Sequence, residues 1–365
     1  MAELVVNSDK IISNIKSINS FLSQNNIKWS LIPKVLCGNE DVLSVILDNK
    51  IVKGLHSIGD SRTSNLRAVK KINKDLVTMY IKPPAIPLVP EIVEVADISL
   101  NTSIDTIKAI EDECIKQNKF HKVIIMIEMG ELREGVMRDK VVEFYEYIFN
   151  LTRVDVIGIG TNLGCMYGIE PTYDKLIQLS LYKELIEAKF KKKMELVSGG
   201  SSINLPMLNS GRIPKNINHL RIGEAVFFGT SPLDEKQFMD LNTDVFVYKG
   251  NIIEMEEKET IPDGVMTTGN IGHTGDMGSI GSADEIVKTH KAIVDFGILD
   301  VDFNDISAKD DKLKFVGTTS DMTVYEIPKY KNKPSYNVGD TIDFSATYMG
   351  VAKLMNSKFI EKIII

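Results

Sequence analysis

The sequence predicts an α/β fold, an N-terminal (β/α)8 TIM barrel followed by a C-terminal mostly-β domain, and three observations carry that expectation. Short apolar runs recur roughly every 20 to 40 residues with amphipathic stretches between most of them, the rhythm of repeated βα units. At 365 residues the chain exceeds what one compact core usually holds, which favours two domains. Past Gly229 the helical periodicity fades and strand-like runs separated by turns replace it.

Taken in order, Ile11, Ile12, Ile15, Ile18, Phe21 and Leu22 recur at helical spacing, so a helix precedes the first barrel strand. The runs that read as strands are Trp29 to Leu36, Gly54 to Gly59, Leu76 to Ile81, Ile98 to Leu100, Lys122 to Met129, Val154 to Thr161, Met194 to Ser198 and His219 to Phe227. Strands in this number, alternating with helices, fit a closed barrel of ordinary size, with an open doubly wound sheet as the alternative. Farther on, TDVFVYKGNIIEMEE, HKAIVDFGILDV, KFVGTTSDMTVYEI and GDTIDFSATYMG read as strands. The expected division is a barrel over 1–235 and a β domain over 236–365. PDGVMTTGNIGHTGDMGSIGSADE carries six glycines and few large apolar groups, and reads as a mobile loop.

Composition narrows the function classes. With 43% hydrophobic and 25% charged residues the chain can build a full core and is not disordered as a whole. A net charge of -7 argues against a nucleic-acid or membrane-surface binder, since both need a basic face. Cys37, Cys114 and Cys165 are too few and too scattered for a disulfide framework or a zinc cluster, which points to a reducing, intracellular setting and no metal. The opening MAELVVNSDKIISNIKSINSF has acidic and polar residues where a signal peptide needs an apolar run, and no segment is long and apolar enough to span a bilayer. The expectation is a cytoplasmic protein.

In barrel enzymes the chemistry sits at the C-terminal ends of the strands, so the polar residues there are the candidates. The first strand ends in LIPKVLCGN, where Lys34 stands in an apolar stretch. Its ammonium is costly there unless it is paired, chemically used, or carried to the rim by its own stem. The fifth ends in KVIIMIEMGELREGV, with Arg133 beyond a glycine turn, where a planar guanidinium suits a phenolate or carboxylate, or an ion pair with Glu131 or Glu134. The sixth, GIGTNLGCMYG, offers Thr161, Asn162, Cys165 and Tyr167. The seventh runs into SGGSSINLPML, where glycines let backbone amides approach an anion and Ser201 and Ser202 add hydroxyls, although Ser and Gly clusters also mark plain turns. In the eighth, NHLRIGEAVFFG, Arg221 lies inside an apolar run and needs a partner, with Gly223 and Glu224 following it.

These five pieces, in this order, resemble the fold-type III pyridoxal-phosphate enzymes of the alanine racemase family. KVLCGN, GDSRTSNL, DISLNTSIDTIKAI, GELREGV, GIGTNLGC and INHLRIGEA resemble its ornithine-racemase branch, and AIVDFGILDVD, GTTSDM and FSATYMG extend the likeness more thinly into the β domain. The resemblance implies a pyridoxal-phosphate-dependent amino-acid racemase acting on ornithine or another basic amino acid, as a homodimer with shared active sites. By motif, Lys34 would carry pyridoxal 5'-phosphate as a Schiff base and serve as one of two catalytic bases. Arg133 would approach the O3' side, Asn162 would lie against the ring, and Arg221 would face the pyridine nitrogen. The phosphate would meet Ser201, Ser202, the amides of Gly223 and Glu224, and the Tyr348 hydroxyl. An apolar mouth with Arg133 and Arg221 nearby would favour the neutral, nucleophilic lysine. An arginine at the ring nitrogen keeps it unprotonated, which shortens the carbanion's life and favours racemisation over transamination.

Two departures from the family pattern matter. The second base in the family is a tyrosine from the partner's β domain, and here Ile298 stands at that place in FGILD. Cys165, Tyr167, His273 and Asp321 are the candidates to replace it, with Cys165 preferred because it follows Asn162 and a thiol beside cationic groups is a competent acid–base group. Asp321 could instead hold a distal ammonium of the substrate. The family's carbamylated lysine on the fifth strand is replaced by Met126, so the substrate carboxylate would rest on Arg133 and neighbouring amides. Alternatives on the same scaffold are a decarboxylase, a D-amino-acid lyase and a non-catalytic pyridoxal-phosphate-binding protein.

Overall fold

The computed structural model describes residues 2–264, 272–275, 288–330 and 333–365. They form two compact units, Ser8–Thr243 and Met1–Asn7 with Asp244–Ile365. The four-residue strand β1 (Glu3–Val6) thus belongs with the C-terminal part of the chain.

The larger unit opens with α1 (Ser8–Gln24), which buries Ile11, Ile15, Ile18 and Leu22, the stripe expected from their spacing. Eight parallel strands follow and close on themselves: β2 (Lys28–Leu31), β3 (Ser57–Asp60), β4 (Thr78–Tyr80), β5 (Ile98–Asn101), β6 (His121–Met126), β7 (Val154–Gly160), β8 (Leu196–Ser201) and β9 (His219–Ile222). Closure pairs β2 with β9 in the register Lys28↔His219 to Leu31↔Ile222. The open sheet is thereby excluded, since an open sheet would leave those two edges unpaired. The helices α2 (Glu40–Leu47), α3 (Lys50–Lys53), α4 (Thr63–Ile72), α5 (Val89–Val95), α6 (Ile104–Lys116), α7 (Val141–Ile148), α8 (Tyr173–Phe190), α9 (Leu205–Asn209) and α10 (Glu224–Phe228) lie between and after the strands.

Strand β6 shows how the sequence makes both layers. Val123 and Ile125 face the outer core shared with α6, α7 and α8, whereas Ile124 and Met126 join Met79, Ile98, Leu100, Ile157 and Leu196 in a separate apolar cluster. This is the period of two expected of a strand covered on both faces. Met126, at the place of the family's modified lysine, is fully buried in that cluster. In α6, Ser103 caps the N-terminus through the Thr106 amide, and Ile107, Ile110 and Cys114 form the buried stripe.

Two expected strands end early. Pro33 has no N–H for the ladder, so β2 stops before it and Lys34–Leu36 form a 3-10 turn instead of a strand end. The run predicted as a strand to Phe227 breaks at Gly223, and Glu224–Phe228 form α10.

In the smaller unit a nine-stranded sheet includes β10 (Phe246–Glu259), antiparallel to β1, while β1 runs parallel to the C-terminal strand Glu361–Ile364. Tyr248, Phe296 and Phe344 form its aromatic centre, with ring centroids 5.1 Å, 5.2 Å and 6.0 Å apart. Of the expected glycine-rich loop 262–285, the stretches 265–271 and 276–285 lie outside the described residues; His273–Thr274 pair with Gly317 and Thr318 as a short strand. No helix among the described residues is long and apolar enough to cross a membrane.

Candidate active site

Lys34 heads the 3-10 turn after β2, and its side chain is exposed while Pro33 and Val35 on either side are buried. The turn carries Lys34 off the strand, so its ammonium is not enclosed by the apolar stretch around it. Its charge acts on two carboxyls of neighbouring strand ends, Asp60 and Glu224. Asp60 is buried, and burial raises its pKa while Lys34 pulls the other way. Its carboxylate accepts from Asn65 Nδ2 to both oxygens at 3.2 Å and from the Arg62 amide at 3.0 Å. Glu224 is likewise raised by burial and by Glu235.

Arg133 stands at the tip of an excursion closed by the Ile127↔Val136 bridge, with Leu132 and the glycines 130 and 135 at positive φ. Its ion pair is with Glu134, Nη2 donating to Oε1 at 2.6 Å and Nε to Oε2, and this raises its pKa. Its remaining edge, Nη1, donates to Cys165 Sγ. Glu131, the other acid that could have paired with Arg133, is buried and serves the adjacent loop. Its carboxylate accepts from the amides of Gly164 at 3.0 Å, Cys165 at 3.0 Å, Tyr167 at 2.7 Å and Ile169 at 3.3 Å.

Burial alone would raise the Glu131 pKa, but backbone donors, the Tyr167 amide foremost, outweigh it and hold the pKa below the ordinary value. A depressed carboxylate stabilises the fold above its unfolded pKa of about 4.3, and that contribution is lost as pH falls through the lower folded value. Glu131→Gln is therefore expected to lower Tm by ~3 °C at pH 7 and by less toward pH 3, read by thermal melts across pH. The same variant should lower kcat about tenfold by loosening the loop that carries Cys165 and Tyr167.

Arg221 is buried at the end of β9. Nη1 donates to Ser198 Oγ at 2.6 Å, and Nη2 donates to the Thr161 carbonyl at 2.9 Å and to Asn162 Oδ1 at 3.3 Å. Burial brings its pKa down to about 10. These are three of a guanidinium's five protons, all on neutral acceptors, which leaves two donors; the nearby Glu134 carboxylate favours its charge without bonding to it. Beside it, Asn162 Nδ2 is buried without a partner.

At the end of β8, Gly200 has φ +146°, and a Cβ there would meet Asn204 Oδ1 at 2.1 Å. A Cβ on Gly223 would meet the Ile32 carbonyl at 2.9 Å. The Ser201 amide donates to Asn204 Oδ1, and Ser202 Oγ accepts from the Ala225 amide at 3.2 Å, tying β8 to α10. A buried guanidinium bonded only to neutral acceptors, spare N–H donors at Arg221 and Asn162, and backbone stripped of side chains beside two serines fit an acceptor-rich anion with a flat ring, as pyridoxal phosphate is.

Thus Lys34, Arg133, Asn162, Cys165, Ser201, Ser202, Arg221, Gly223 and Glu224 all belong to the barrel unit, in or after the C-terminal ends of its strands. Tyr348, Asp321 and His273 belong to the other unit. There, Tyr348 opens the helix Tyr348–Asn356, capped by Thr347, and His273 is exposed with its ring 5.5 Å from Phe303. The Ile298 amide donates to the Thr319 carbonyl at 2.9 Å and Leu299 to Ser320 at 3.1 Å, so the turn bearing Asp321 lies directly against the position where a tyrosine was expected. Ser198 and His219, which stand behind Arg221, were not singled out by motif. His219 precedes Arg221 by two residues on one strand, so alternation alone puts both on the same face.

A family description, "Alanine racemase, N-terminal domain", matches residues 6–232. The chain is 32% identical to the ornithine racemase of Acetoanaerobium sticklandii over 99% of its own length and 98% of that protein. It is 29% identical to the lysine racemase of Thermotoga maritima over 99% and 97%. Among solved structures, the alanine racemase of Bartonella henselae with covalently bound pyridoxal phosphate shares the fold with a TM-score of 0.70, at 14% identity and coverage of 100% and 99%. The chain belongs to the alanine racemase family and is a pyridoxal-phosphate-dependent amino-acid racemase.

Proposed function

We propose that the substrate is ornithine or another basic amino acid, interconverted between its enantiomers by two groups of this chain on opposite faces of Cα. The observation that carries the substrate class is the Asp321 turn hydrogen-bonded to Ile298 and Leu299. A carboxylate supplied there suits a distal ammonium, and the full-length likeness to racemases named for ornithine and lysine supports the same reading. His273 is a further substrate contact under this proposal.

Pyridoxal phosphate, when bound, draws electrons from the substrate's Cα–H bond and makes that proton removable. Lys34 Nζ takes or returns the proton on one face, and Cys165 Sγ does so on the other. Arg133 would orient the substrate carboxylate and the cofactor's O3' side, and Arg221 would donate to the ring nitrogen. Asn162 would contact the ring. Ser201, Ser202 and the amides of Gly223 and Glu224 would hold the phosphate, and the family resemblance adds the Tyr348 hydroxyl. The working form is a cytoplasmic homodimer in which groups of the β unit serve the partner's site.

Incubation with L-ornithine in D2O is expected to give D-ornithine carrying α-deuterium. Absence of both exchange and inversion across the common amino acids would sink the reading. Asp321→Asn should raise KM for ornithine about tenfold and leave KM for alanine unchanged, the signature of a lost charge-assisted hydrogen bond to the distal ammonium.

A further inference from the structure

Behind Arg221 the barrel interior holds a continuous file of buried polar groups. Arg221 Nη1 donates to Ser198 Oγ at 2.6 Å, and Ser198 Oγ lies 2.9 Å from His219 Nδ1. His219 Nε2 lies 2.9 Å from Ser30 Oγ, which is 2.6 Å from Ser57 Oγ, which is 3.3 Å from His56 Nδ1. Serines 30, 57 and 198 and His219 are all at most 2% exposed.

Arginine can only donate, and this sets the direction of the bonds next to it. Ser198 accepts from Arg221, so its own proton goes to His219 Nδ1; otherwise a hydroxyl proton would be left buried without an acceptor. His219 is then neutral with its proton on Nε2, which donates to Ser30. Beyond that bond Ser30 Oγ has Met79 Sδ at 4.0 Å as well as Ser57 Oγ within reach of its own proton. Burial, the Arg221 charge and the nearby His56 and Lys28 all disfavour a charged His219, in agreement with that tautomer.

We propose that His219 is a positioning residue for the reaction: by accepting the Ser198 proton it locks the plane of the Arg221 guanidinium and keeps its unused N–H groups turned to the cofactor ring. A side chain as long as arginine, held in the barrel only by Thr161 and Asn162 on its other edge, would otherwise rotate out of that plane. The inference rests on Arg221 facing the ring nitrogen, because that contact is what the file would hold in place.

The test compares His219→Leu with His219→Gln in the cofactor-loaded enzyme. Beside kcat and KM for racemisation, two quantities are read: the absorption band of bound pyridoxal phosphate without substrate, and the side reaction in which amino acid plus pyridoxal phosphate gives 2-oxo acid plus pyridoxamine phosphate. His219→Leu should shift the band, raise pyridoxamine phosphate per racemisation turnover about tenfold and lower kcat about tenfold, with KM held within about twofold. His219→Gln, whose amide carries an acceptor for Ser198 and a donor for Ser30, should restore all three to within about threefold. Should His219→Leu fail to fold, Ser30→Ala removes the acceptor of Nε2 and should shift the band and the partition in the same direction.

An unchanged band and partition in folded, loaded His219→Leu would overturn the proposal. So would a Gln variant no better than Leu, which would mean a space-filling role. Arg221→Gln separates the premise from the inference. If it too leaves band and partition unchanged, the ring-nitrogen reading of Arg221 falls and takes the role of His219 with it; if it moves them while His219→Leu does not, only the file is refuted.

Discussion

Lys34→Ala is expected to lower racemisation by about 10 000-fold, the upper end of what a positioned acid–base group contributes. The expectation follows from where the sequence puts the lysine. Pro33 ends β2, the 3-10 turn swings Lys34 off the strand, and the buried Val35 and Leu36 anchor the turn from beneath. An exposed side chain over two buried neighbours can be removed with little loss of packing, so the Tm of the variant without cofactor should stay within about 1 °C of wild type. Borohydride treatment of the loaded wild-type enzyme followed by peptide mass mapping should place the cofactor's mass on the peptide containing Lys34, and no such adduct should form in the variant. A Lys34→Ala enzyme that retains activity within tenfold of wild type would remove Lys34 from the chemistry.

The barrel was legible because βα repetition is a long-range regularity written in local composition. Each of the eight observed strands overlaps the run that predicted it, from Lys28–Leu31 to His219–Ile222. The ends were less legible, and for definite reasons. Pro33 and Gly223 both sit inside apolar runs, and only the ladder's need for N–H donors at one and the backbone break at the other decide that a turn and a helix follow. Strand β1 escaped altogether: Glu3–Val6 is four residues long and its partners, Phe246–Lys249 and Glu361–Ile364, are more than two hundred residues away, so nothing local marks it.

The candidate site divides in the same way. Arg221, Asn162, Ser201 and Ser202 were singled out as polar residues of strand ends, and the structure places them at the ends of β7, β8 and β9. Glu131 could not be, because its role is to bind backbone amides, and a carboxylate on a surface-like stretch gives no hint of which amides will close around it. Arg221 illustrates what the sequence withholds: it needed a partner, and its hydrogen-bond acceptors are the neutral Ser198 hydroxyl, Thr161 carbonyl and Asn162 amide oxygen. The polar side of the barrel interior, Ser30, Ser57, Ser198 and His219, lies opposite in character to the cluster of Met79, Ile98, Leu100, Ile124 and Met126. A barrel filled wholly with apolar side chains would hold Arg221 less firmly, since a guanidinium needs oriented acceptors to keep one plane.

Cys165→Ala is the second large effect, and it distinguishes the two faces of the substrate. The thiol is exposed, receives a hydrogen bond from Arg133 Nη1, and rides on a loop whose amides are clasped by Glu131, so it is both accessible and held. If Cys165 is the second base, the variant should lose inversion by about 10² to 10⁴-fold. It should nevertheless continue to exchange the α-proton of one enantiomer with D2O, because Lys34 still serves its own face. Exchange without inversion, followed by NMR on each ornithine enantiomer separately, is the discriminating result; a mere loss of folding would abolish both. Cys165→Ser should fall between wild type and alanine, as a hydroxyl keeps the hydrogen bond to Arg133 and is a poorer proton carrier. If Cys165→Ala racemises within about threefold of wild type and exchanges both enantiomers alike, proton transfer on that face belongs to another group. The Asp321 turn against Ile298 is then the first place to look, because it carries an acid beside the position where a tyrosine was expected.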